Sequence, residues 1–320
     1  KAAWQVLQVD NRKITDPNYW RSRAALAWDL ELDDELQVSL EKMLALKGSL
    51  NSGDESQLIT LYRTSNPRRA LQLMVGGWQR SHDPQRLVEA LQQAEELQDW
   101  SQVEALLKGA EQYPAAYGPA QVLAVRGALA VHKDQPEEAQ RLYQEGLARF
   151  PEDNLFRERL MWLYVDQGNT AELKPLLTQW KARAREDRIL WLPFASASQM
   201  LGRDSEALAW YRMYLKTSPQ DWLVQAAYAD ALESAGYQDA AQRLRLKLLR
   251  SPEVDNGQPS SGRYGIWLRL MASSYSPKKA QHEVLKWKDG SPAMLQLWFE
   301  RLLARLDATN QDSQKDQWLD

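Results

Sequence analysis

Residues 191–219 read WLPFASASQMLGRDSEALAWYRMYLKTSP, and whether this stretch occurs once or recurs decides the fold. Trp191, Phe194, Ala195, Ser198 and Leu201 fall at helical spacing, on one face of a helix. Gly202 breaks that helix. A second helix begins in RDSEALAWYRMYLK, with Asp204 as its expected N-cap and Glu206 in its first turn, where a carboxylate meets the positive end of the helix dipole. The inner face of this helix is Ala207, Leu208, Tyr211 and Leu215. Pro219 closes it, because proline has no N–H to give and clashes with the preceding turn. Two helices joined by a tight turn make a helical hairpin.

The pattern recurs every 34 residues. Gly202 steps to Gly236 and Gly168, and a further step back lands on Asp134 in HKDQP. Ala207 steps to Ala241 and, two steps back, to Ala139. Tyr211 steps back through Leu177 to Tyr143, and Pro219 matches Pro151, with Pro252 one residue out of register. RGALAVHKDQPEEAQRLYQEGLARFPED (126–153) puts Gly127, Ala139, Tyr143 and Pro151 where the first stretch has Ala195, Ala207, Tyr211 and Pro219. Small residues are a steric demand at such positions, since helices approach closely only past small side chains.

A period of this length, with small residues at the crossing, a ring four positions later and a terminal proline, resembles the tetratricopeptide repeat (TPR) family. The resemblance covers most of the chain. It implies an all-α fold, a right-handed superhelical α-solenoid of helix–turn–helix repeats. No hairpin can bury its face alone, and stacking builds one continuous core. Residues 1–120 read as degenerate TPR-like hairpins, with Trp20, Ala24 and Ala27 on one first helix and Ala70 and Met74 on a second helix. Residues 121–250 hold the well-patterned repeats. Even here the unit 154–187 departs, with Leu173 in place of alanine and Arg185 in place of proline. Residues 251–263 are a polar loop, and 264–320 read as divergent C-terminal helices.

Composition narrows the function. The formal net charge is −3, with both signs interleaved, so no basic block offers a nucleic-acid footprint. Cysteine is absent, which removes disulfides and thiolate metal sites. His82, His132 and His282 are far apart and share no metal-ligand spacing, so no metal and no cofactor is expected. Gly76–Gly77 in VGG is a lone pair with no strand before it, unlike a phosphate-binding loop. No acid–base or nucleophile constellation stands out, and the reading is of a non-enzymatic interaction protein. The chain opens in KAAWQVLQVD, which looks like the inside of a helix, and is expected to be a piece of something longer.

In TPR arrays the first helix of each hairpin lines the concave surface. The register above places Trp28 and Asp29 there near the start, then His132, then Glu158, Trp162 and Asp166, then Gln199, and finally Asp230 and Glu233. An aromatic ring among carboxylates and small polar groups suits a cationic or polar guest. Trp20, Trp191 and Trp267 stand where the family uses core tryptophan. Trp180, Trp210 and Trp222 are expected in packing between repeats, and Trp287, Trp298 and Trp318 lie in the divergent end.

Degenerate repeats, abundant tryptophan (14 residues) and the absence of cysteine also resemble the periplasmic TPR scaffold of PelB-like exopolysaccharide export proteins. There a long TPR region precedes an outer-membrane porin. That resemblance implies a periplasmic setting, with membrane contact only through other parts of the chain. It also implies docking of a polysaccharide-modifying enzyme, a PelA-like deacetylase/hydrolase, and guidance of a cationic polysaccharide. The alternative is a cytosolic TPR adaptor for a peptide or protein partner. A basic clamp for an acidic C-terminus is missing, since Glu158, Leu192, Ala226 and Asp230 occupy those positions.

Overall fold

A computed structural model describes residues 14–46, 51–252, 254 and 262–272. They are α-helical with short 3-10 turns, and no strand occurs among them. The expected helices after residue 272, with His282, Trp287, Trp298 and Trp318, lie outside the described residues, as does the side chain of Trp267. Contacts divide the chain into two compact units, Lys1–Phe156 and Arg157–Asp320.

The first unit is a series of hairpins. Helices α1 (Pro17–Asp29) and α2 (Asp33–Ala45) form one, α3 (Ser52–Ser65) and α4 (Pro67–Ser81) the next, α5 (Pro84–Glu96) and α6 (Trp100–Ala110) a third. A 3-10 turn at Pro114–Tyr117 leads to α7 (Ala120–His132) and α8 (Pro136–Arg149). Asp16, Asn51, Asn66, Asp83 and Asp99 cap α1, α3, α4, α5 and α6 through side-chain oxygens that accept from backbone N–H groups. Prolines 17, 67, 84 and 136 stand at helix starts, where the missing N–H costs nothing.

The second unit takes up within α9 (Leu155–Asp166) and continues with α10 (Thr170–Gln179) and the short α11 (Lys181–Glu186). Helices α12 (Trp191–Met200) and α13 (Asp204–Thr217), then α14 (Trp222–Ser234) and α15 (Gln238–Arg250), form two further hairpins, and α16 (Arg263–Ala272) follows. Asp204 is the first residue of α13 and not its cap; Arg203 precedes it, and no side chain caps that end. The aberrant unit 154–187 has a divided second helix. Pro175 sits inside α10 without an N–H to donate, and the chain leaves helical geometry at Trp180 before α11 begins.

Each well-patterned hairpin turns the same way. Gly168, Gly202 and Gly236 adopt φ of +65, +66 and +84°, and Asp134 adopts +56° at the equivalent place. In every case the next residue donates back to the first helix: Gln135 to Ala130, Asn169 to Tyr164, Arg203 to Ser198, Tyr237 to Leu232, at 2.8–2.9 Å. These bonds satisfy carbonyls that a helix end leaves orphaned. Glu31 and Gln98 make the same turn upstream with φ of 55 and 54° and no glycine. There the helix-end bonds run from Leu32 to Ala27 and from Asp99 to Ala94.

The helix crossings explain the small residues. A methyl group at Gly127 would overlap the Tyr143 ring, and one at Gly146 would overlap Phe156. Ala139, Ala195, Ala207 and Ala241 are fully buried, as are Ala27 and Ala70 in the degenerate hairpins. Tyr143, Leu177 and Tyr211 are buried over them. Trp20 is fully buried and donates from Nε1 to the Ile14 carbonyl at 2.9 Å. Trp180 and Trp210 are buried as expected, while Trp191 and Trp222 are half-buried.

Two substitutions in one hairpin test these two constraints. Ala207→Leu overpacks the crossing and should cost about 1–3 kcal/mol. Gly202→Ala meets no neighbour, so its cost is the left-handed backbone alone, about 1–2 kcal/mol. Urea unfolding of both variants reads the two losses, and Gln98→Gly should move the midpoint the other way.

Candidate functional site

The first helices carry every position that the repeat register assigns to a binding surface. Trp28, Asp29 and His132 belong to the first unit, and Glu158, Trp162, Asp166, Gln199, Asp230 and Glu233 to the second.

Four of these side chains, His132, Gln199, Asp230 and Glu233, already serve the fold. The His132 ring stacks on Trp100 of the preceding hairpin, with centroids 4.8 Å apart and planes 14° from parallel. Gln199 on α12 accepts a hydrogen bond from the Tyr211 hydroxyl at 3.3 Å. This gives a buried phenol on α13 a polar partner, as burial demands. Asp230 and Glu233, one turn apart on α14, both accept from Arg245 on α15, at 2.8 and 2.6 Å. Arg245 is 2% exposed, and Asp230 also meets Arg269 of α16 at 2.8 Å. A buried guanidinium is tolerable only with such partners. These two acids therefore hold a cation of their own chain.

On α9, Glu158 lies 3.6 Å from Arg159 and Trp162 is half-buried. Asp166 stands near the end of the same helix. Desolvation by the atoms packed around its carboxyl holds its pKa above the ordinary aspartate value.

Trp28 is different. It is 59% exposed and occupies the last turn of α1. Leu30 and Leu32 in the following turn are each 36% exposed. Asp29, Glu31, Asp33 and Asp34 alternate with them along the chain and are exposed, so carboxylates flank the apolar tip in sequence. Arg23, the nearest cation in the sequence, is buried and pairs with Glu35 at 2.5 Å. The Asp33–Glu35 acids also occupy the first turn of α2, where the helix dipole favours them.

Among the described residues no cluster of histidine and carboxylate side chains could hold a metal ion, and no helix is long and apolar enough to cross a membrane. Sequence reasoning placed no candidate on the second helices. An open cavity of about 640 Å³ nevertheless lies between α4 and the turn from α5 to α6, with Gln102 of α6 in its lining.

The tetratricopeptide repeat family profile matches residues 1–253. The chain belongs to the TPR family. No curated protein sequence matches it. Among solved structures, the TPR chain is similar to human IFIT1 crystallised as a dimer with m7Gppp-AAAA. The TM-score is 0.61 at 13% identity, over 100% of this chain and 77% of that one. It is also similar to PilW, described as a widely conserved type IV pilus biogenesis factor, with a TM-score of 0.51 at 14% identity over 64% of this chain and 97% of that one. At these identities the likeness is one of fold.

The assignment of Asp230 and Glu233 to the fold has a direct check. Replacing both by alanine strands the Arg245 charge and should lower stability by about 3 kcal/mol, as breaking a buried ion pair does. Converting all three residues to apolar ones of similar size should restore most of that loss in thermal or urea unfolding.

Proposed function

We propose that this TPR array is a non-enzymatic docking scaffold, and that it is the periplasmic TPR region of a PelB-like exopolysaccharide export protein. In that role it holds a polysaccharide-modifying enzyme, a PelA-like deacetylase/hydrolase, close to the export route. The family supports the scaffold part, since TPR hairpins present surfaces and do not assemble reactive groups. The export part rests on the sequence resemblance: degenerate repeats, 14 tryptophans and no cysteine.

The observation that carries docking is the exposed tip at Trp28, flanked in sequence by carboxylates. A tryptophan 59% exposed on a folded surface is the residue type most enriched among binding hot spots. The flanking carboxylates steer a partner that carries basic residues beside an apolar knob. Guidance of a cationic polymer, on the same reading, falls to Asp29, Glu31, Asp33 and Asp34. Asp230 and Glu233 already neutralise Arg245 and contribute little to it.

Isothermal calorimetry tests the reading. The chain is titrated with the co-encoded periplasmic deacetylase/hydrolase, and in a parallel cell with the soluble, partly deacetylated polysaccharide. Micromolar or tighter enzyme binding is expected, and Trp28→Ala should weaken it by about 30-fold with no change in thermal midpoint. Enzyme binding that Trp28→Ala leaves intact moves the docking surface elsewhere on the array. If neither enzyme nor polymer binds, the export reading falls and the cytosolic adaptor takes its place.

A further inference from the structure

The second helix of the 154–187 unit buries one face but is not one helix. Leu173, Leu177, Trp180 and Ala184 are buried at steps of four, three and four, so a single stripe runs through α10 and α11. The helix that carries it is broken. The second helices α8, α13 and α15 run 14, 14 and 13 residues without interruption. Here α10 stops after 10 residues and α11 holds 6. An unbroken helix would bury the same four residues, so burial does not ask for the break.

Two residues make it. Pro175 is exposed on α10 and cannot donate the helical bond to the Ala171 carbonyl. Trp180 ends α10 with φ −99° and ψ 6°, and its ring is buried against Arg157 of α9, whose Cζ lies 5.8 Å from the ring centroid. A helix bends where its ladder is interrupted in this way. The crossing that sets a regular hairpin is altered as well, since Leu173 stands where the other units have Ala139, Ala207 and Ala241.

The break falls in a junction between repeats. In a regular pair the second helix meets the next first helix in one piece, as α13 meets α14; here α10 and α11 divide the contact with α12. α10 is tied back to α9 through the Gly168 turn, where Asn169 donates to Tyr164 at 2.8 Å. α11 is fastened forward. The Trp191 indole of α12 donates from Nε1 to the Ala184 carbonyl at 2.8 Å, and the Lys181 ammonium pairs with Glu206 of α13. Between the two attachments lies the stretch from Pro175 to Trp180. Hinges take this form, a few residues at an element's end that absorb a change in φ and ψ between packed parts.

We propose that Pro175–Trp180 is a hinge: the α12–α13 hairpin, with α11 attached, pivots there against α9 and α10, and the array changes curvature within its second unit. This device belongs to the scaffold whatever its partner and does not depend on the export reading.

The test measures distances between nitroxide labels by pulsed electron double resonance. Ala171, Ser205 and Asp239 are exposed and successively 34 residues apart, on α10, α13 and α15. The chain has no cysteine of its own. Ala171→Cys with Ser205→Cys spans the hinge, and Ser205→Cys with Asp239→Cys spans a regular junction as the control. The first pair should give a distance distribution about twice as wide as the second. Pro175→Ala returns a donor to the helix and should narrow the first distribution toward the control. Hydrogen exchange supplies a second readout. Trp191→Phe removes the N–H that holds Ala184 and should speed exchange of amides 181–187 about tenfold while amides 205–217 keep their rates. Equal widths for the two pairs overturn the proposal. So does a wide first distribution that Pro175→Ala leaves unchanged. Exchange that Trp191→Phe speeds evenly through α11, α12 and α13 also overturns it, because α11 is then no separate piece.

Discussion

Every well-patterned hairpin depends on how closely its two helices approach. The Tyr143 ring lies where a methyl on Gly127 would be, and Tyr211 is buried in the hairpin where Ala195 and Ala207 are fully buried. Close approach requires the second helix to return along the first without delay. The left-handed turn at Gly168, Gly202 and Gly236 achieves this in a few residues while pairing the last carbonyls of the first helix. The crossing and the turn are thus one constraint, seen at the middle and at the end of the hairpin. Neither is satisfied by a hairpin in isolation, because the outer faces still need neighbours.

That constraint decides which surfaces remain for partners. Some polar residues on first helices lie within reach of the second helix, and the fold uses them. Gln199 completes the Tyr211 hydroxyl, and Asp230 with Glu233 completes Arg245. Trp28, at the tip of the first hairpin, stays 59% exposed.

The sequence carried the fold because the repeat is written in backbone requirements. Glycine at a left-handed turn, alanine at a crossing and proline after a helix each have a local physical reason, so their spacing could be read directly. The same logic missed Glu31 and Gln98, which make the identical turn without glycine and leave no mark in the composition. It also misjudged Asp204, where a carboxylate near a helix start looks the same at the cap and one residue inside. The site was harder to read. Position on a first helix shows where a side chain starts, but not whether Arg245 or Tyr211 has claimed it from the facing helix. Those contacts join residues 12 to 15 apart, across a turn, in a pairing that no single-helix periodicity encodes.

Buried ion pairs occur in the degenerate hairpins as well as in the regular ones. Glu55 on α3 is buried, and its carboxylate receives Arg80 from its own hairpin and Arg86 from the next, the latter at 2.9 Å. A Cβ at Gly77 would come against the Arg86 guanidinium. A carboxylate shared by two guanidiniums couples one repeat to the next through a directional contact.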